Sequence, residues 1–127
     1  MQFGLSEEQI LLQDNVKRFL NDNVALERVR KYAEGNSDAD IWAGLSELGI
    51  AALLIPEEFG GIGMSTLDAA VVAECLGSNV APTPFLGSAV MAPTALIGSG
   101  GDHGEMLAQL AAGTHRIGIA FGEAIKR

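Results

Sequence analysis

The chain is poor in positive charge: eight Lys and Arg face sixteen Asp and Glu, for a formal net charge of −8. Those few cations are scattered, so no basic stripe is available to neutralise phosphates, and DNA and RNA are excluded as partners. Cysteine is almost missing. Cys75 stands alone, which rules out an intrachain disulfide, and within the helix-like run LDAAVVAECLG it reads as a reduced core thiol. The opening residues MQFGLSEEQ have neither the basic start nor the apolar centre of a secretory leader, so a cytoplasmic location is the default expectation. Long apolar runs are lacking too. The longest uncharged stretch, Leu76 to Gly101, is broken by Gly, Pro, Ser, Thr and Asn, short of the roughly 20 apolar residues of a membrane helix. His103 and His115 have no helical i, i+4 partner and no Cys nearby, which leaves a zinc site without support.

What is present is a chain of 127 residues, 48% apolar and 19% charged, enough for one domain with its own core even with 16 glycines. Ser6-Glu7-Glu8-Gln9 reads as a capping box that opens a first helix, with Leu12, Val16, Phe19 and Leu20 on one buried face. A break near Asn21 to Asn23 separates it from a second helix that stops at Gly35-Asn36. Asp38 or Asp40 caps a third, in which Ile41, Trp42, Leu45 and Leu48 form a stripe ending at Gly49. The run Ile50 to Ile55 has the look of a short strand, but with no partner run nearby a buried extended linker is the better reading. Ser65 with Asp68 repeats the capping box and opens a helix through Leu76, apolar nearly all round and therefore expected at the centre. FLGSAVMAPTALIGSG follows with helical pattern and an expected kink or break at Pro93. A last helix from Asp102, with Leu107, Leu110 and Ala111 facing inward, closes at Gly113. In RIGIAFGE the period changes, and Ile117, Ile119 and Phe121 alternate as in a strand. The expectation is an all-α fold, a five- or six-helix orthogonal or up-down bundle, with the start of a β-strand at its C-terminus. One strand makes no sheet, so the chain reads as cut where a β region begins, or as borrowing a partner edge.

The stretch IPEEFGGIGMST is the densest in glycine, yet no Lys follows Gly60, Gly61 and Gly63, and their spacing is not that of a dinucleotide fingerprint. Glycines here serve close backbone approach and a sharp entry into the Ser65-capped helix. The serines have no nucleophile signature; FLGSAV supplies only Gly-Ser.

The order ELGIAALLIPEEFGGIGMSTLDAAVVAECLG, preceded by LSEEQILLQDNVKRFL and followed by RIGIAFGE, resembles the N-terminal helical domain of the acyl-CoA dehydrogenases over essentially the whole chain. The resemblance implies a domain over 1–114, then over 115–127 the first strand of a middle β domain otherwise absent, as is a C-terminal four-helix bundle. It further implies FAD as cofactor and an acyl-CoA thioester as substrate, with assembly into homo- or hetero-oligomers. In that family a glutamate in the bundle removes the α proton while FAD accepts a hydride from the β carbon, so the base is expected beyond Arg127. Glu57, Glu58, Glu74 and Glu123 read as solvated, capping or structural groups.

Two places remain where the resemblance implies ligand contact. One is the helix around Phe85 to Ala92, where Phe85, Ser88, Ala89 and Ala92, with Gly87 and Met91, make either a wall of the acyl pocket or ordinary core packing. The other is IAFGEAIKR, where the family has a flavin-contacting Thr-Glu-Pro. Here Gly122 and Ala124 depart from that pattern, leaving backbone contacts from Phe121 and Gly122 to the flavin. Two rival readings stay open: a non-catalytic assembly module that packs on a partner through its uncharged 76–101 surface, and a relative with different flavin chemistry, such as oxygen-dependent hydroxylation.

Overall fold

Ser6 starts the first helix as its sequence dictates. In the computed structural model, which describes residues 4–120 and Gly122, the Ser6 hydroxyl accepts from the Gln9 N–H while the Gln9 side chain takes the Ser6 N–H. Helix α1 (Glu7–Asn23) buries Val16 and Leu20, and Leu12 and Phe19 pack beside them. The chain breaks at Val24 and Ala25, then α2 (Leu26–Ala33) runs along the outside and buries nothing fully. In α3 (Ala39–Glu47), Ile41, Trp42 and Leu45 face the core, whereas Leu48, one step beyond the helix, is 42% exposed. Asp38 occupies the N-cap position without capping. Its carboxylate instead pairs with Arg116, and the Ser37 hydroxyl accepts the Ala39 N–H.

Residues 50–55 are buried as expected, apart from the half-exposed Leu54, but they are not extended. Ile50–Ala52 is a turn of 3-10 helix, and the backbone stays coiled through Leu53. The missing partner is the glycine loop: after a second 3-10 turn at Glu57–Phe59 the chain folds back, and Ile62, Gly63 and Met64 donate their N–H groups to the carbonyls of Ala52, Ile55 and Leu53 at 3.0, 2.9 and 2.8 Å. Every carbonyl so engaged is one that a buried segment cannot leave to water. Gly61 makes the return possible, since a Cβ there would run into the Ile55 carbonyl.

Helix α4 (Thr66–Ser78) begins at the second capping box, with Ser65 and Asp68 bonded reciprocally. Its Ala69, Val72 and Cys75 enter the core, but Leu67, Ala70 and Ala73 face outward. The expected central helix is thus open on one side, because its neighbours α1 and the segment after Pro84 both lie on the other. From Phe85 to Met91 the chain forms a π-helix, which passes without a break into α5 (Ala92–Gly98). The expected break at Pro93 is thus not formed; Pro93 sits just past the π-to-α junction, where in the first turn of α5 its missing N–H costs little. Helix α6 (Gly104–Ala111) starts two residues after Asp102, with His103 at the N-cap position, and ends at Gly113 in the left-handed region.

The apolar side chains gather in two groups. The larger joins α1, α3, α4 and the π-helix around Leu20, Trp42, Leu45, Ile50 and Val72; the smaller joins α5 and α6 around Ile55, Ala92, Leu107 and Leu110. Each Leu, Ile or Val among them, fully buried, contributes about 1.5–3 kcal/mol. Among the described residues no strand is formed, and 114–120 run without regular structure, there being no second edge to pair with. No helix among them is long and apolar enough to cross a membrane.

Candidate functional site

The π-helix and α5 form one continuous rod with two unlike sides. Phe85, Ser88, Ala89 and Ala92 lie at i, i+3, i+4 and i+7 on its inner side, and all four are buried at 4% exposure or less. Phe85 and Ala89 belong to the larger apolar group and Ala92 to the smaller, so packing accounts for these three. The outer side carries Val90 and Met91, half-buried, and Thr94 and Ala95, exposed. Together with Leu54, Thr66 and Ile119 these residues line an open groove of about 460 Å³, within the usual range of about 300–1,000 Å³ for small-molecule sites.

Among the described residues the groove carries no charged side chain, and the Thr94 hydroxyl is spent on the Val90 carbonyl at 2.7 Å. Such a wall holds apolar groups and offers neither base nor nucleophile. Leu54 reaches it because the 3-10 turn before it buries Leu53 and Ile55 and leaves Leu54 half-exposed. The sequence does not single out the outer residues Val90, Thr94 and Ala95, and Ile119 reads there only as part of a strand pattern. The helical phase that groups positions 85, 88, 89 and 92 also groups 90, 91, 94 and 95; what the sequence leaves open is which group faces in.

Ser88 has a separate task. Its hydroxyl donates to the Ile117 carbonyl at 3.1 Å and accepts the Ile117 N–H at 2.9 Å. Gly87 lets residues 114–120, a strap across the rod, come this close, as a Cβ there would sit 2.8 Å from the same carbonyl. One residue earlier, Arg116 reaches Asp38 at 3.0 Å. Phe121 lies outside the described residues, as does Glu123; Gly122 is exposed, with open space around it.

Elsewhere, Asp102, His103, Glu105 and Gln109 line a polar cleft of about 400 Å³. The Ser99 hydroxyl there is shared between the Leu96 carbonyl and the His103 imidazole, each at 2.8 Å. No cluster of three or more metal-ligating side chains occurs among the described residues. Two titrating groups are shifted inside the fold. Asp68 is held below its ordinary value by the Ser65 hydroxyl, with the Gln9 amide assisting against the cost of burial. The Cys75 thiol is pushed up by burial, as befits an inert core residue. Glu57, Glu58 and Glu74 are exposed.

The profile of the acyl-CoA dehydrogenase N-terminal domain matches residues 6–114. The chain belongs to the acyl-CoA dehydrogenase family. It is 43% identical over 120 residues to the acyl-CoA dehydrogenase IpdE2 of Mycolicibacterium smegmatis, an alignment covering 92% of this chain and 38% of that protein. Identity to IpdE2 of Mycobacterium tuberculosis is 34%, over 85% of this chain and 35% of the relative. The (2S)-methylsuccinyl-CoA dehydrogenase of Cereibacter sphaeroides is also 34% identical, over 84% and 20%. A chain in the crystal structure of the ChsE4-ChsE5 complex from M. tuberculosis superposes with a TM-score of 0.73 at 25% identity, covering 89% of this chain and 30% of that one. The chain thus spans well under half the length of each of these proteins.

Proposed function

We propose that this is the helical N-terminal domain of an FAD-dependent acyl-CoA dehydrogenase, in which it walls the acyl pocket and braces the flavin domain. The uncharged groove carries the reading. α,β-Dehydrogenation of an acyl thioester needs a base at the α carbon, and the described residues of the groove supply none. Bound FAD supplies the hydride acceptor; the part left to this domain is to hold the acyl group and exclude water. The outer residues Val90, Met91, Thr94 and Ala95 face the acyl chain, and Phe85, Ser88, Ala89 and Ala92 back them from within. Each methylene buried there contributes about 0.8 kcal/mol.

Among the described residues the groove is open to solvent, and protein from the β and C-terminal helical domains, or from another subunit of a homo- or hetero-oligomer, completes it. The isolated 127-residue chain is therefore inactive. Mixed with FAD, an acyl-CoA and an electron acceptor, it is expected to bleach no flavin beyond the rate of free FAD, and sustained bleaching would refute this. A second reading, a non-catalytic assembly module, draws on Val80, Leu86 and Ile97, which are 62%, 63% and 45% exposed in the uncharged stretch. Light scattering that finds a stable soluble monomer counts against it.

A further inference from the structure

We propose that Ser88 is a positioning residue for the groove: through its two bonds to Ile117 it sets the place of Ile119 and so the width of the apolar wall. The inference rests on reading the groove as an acyl site. Ile117 has both backbone groups satisfied by one buried hydroxyl, in the way a neighbouring strand would satisfy them. Ile117 and Ile119 are both half-buried while Gly118 and Ala120 are exposed, the two-residue alternation that puts residues two apart on one side. Ile117 packs on the smaller apolar group, and Ile119 lines the groove. The hydroxyl thus locks the register of the strap, and Gly87 sets its distance. The Arg116 pair with Asp38 tethers the same strap, but the Arg116 side chain is 42% exposed, and the pair fixes a long side chain, leaving the backbone register to Ser88. The π-helix supports the assignment, since such i→i+5 turns are rare and recur at functional sites.

The test uses the full chain with isotope-labelled methyl groups and a series of acyl N-acetylcysteamine thioesters. In the unmodified protein the Ile119, Val90 and Met91 methyl signals are expected to shift together. In Ser88→Ala, exchange of the Ile117 amide should speed up about tenfold, Ile119 should stop responding while Val90 and Met91 still do, and apparent affinity should fall about tenfold. Arg116→Gln should leave the Ile119 response in place. Gly87→Ala, which displaces the Ile117 carbonyl without touching the hydroxyl, should reproduce the Ser88→Ala loss and serves if that variant does not fold. An unchanged Ile119 response in Ser88→Ala, or its loss in Arg116→Gln, overturns the proposal. If no thioester shifts any groove signal while Ser88→Ala still frees the Ile117 amide and detaches Ile119 from the groove, the acyl reading alone falls.

Discussion

The two halves of the domain are held by different means. Up to Ser78 the helices are set by neighbours in sequence: capping boxes three residues wide open α1 and α4, and the glycine loop returns onto a segment only a few residues behind it. After Pro84 the chain relies on distant partners, with Ser88 holding Ile117 and Arg116 reaching Asp38 across 78 positions. The first half is thus a frame whose turns close locally. The second is a rod and a strap packed onto it, and the apolar groove lies between the rod's outer side, the strap at Ile119 and the frame residues Leu54 and Thr66.

Substitutions sharpen the contrast, and the largest effect belongs to the frame. Leu45→Ala removes a fully buried side chain from the larger apolar group and should cost about 2–5 kcal/mol in denaturant unfolding. Gly61→Ala drives a methyl into the Ile55 carbonyl and should cost about 1–3 kcal/mol. A loss near zero would mean the loop does not pack as described. Asp68→Asn weakens the capping box and the link to Gln9 and should cost about 0.5–2 kcal/mol at neutral pH.

The same carboxylate makes stability depend on acid. Because its folded value lies below the ordinary 3.8, the charged form contributes stability that is complete above that pH. The contribution drains away as pH falls through the folded value, since the unfolded chain then binds the proton more readily. Asp68→Asn should flatten acid unfolding in this window, and identical curves would remove Asp68 from the account. The smallest effect belongs to the rod's outer side. Ala95→Asp at its exposed position should change stability by no more than about 0.5 kcal/mol while abolishing thioester-induced shifts at Val90.

The sequence by itself determined the helix starts at Ser6 and Ser65, the break after α1, the stop at Gly113 and the inward faces of α3 and α6. Each is a matter of hydrogen bonds or spacing within about one helical turn, and such interactions are written in adjacent residues. The tertiary structure alone decided that 50–55 coil, that α4 is open on one side, that Pro93 sits at a π-to-α junction, and that the inner face at 85, 88, 89 and 92 leaves the groove to 90, 91, 94 and 95. These outcomes turn on which distant segment supplies the packing surface or the hydrogen-bond partner. Ser88 is the plainest case: nothing within four residues of it foretells a bond to a residue 29 positions away.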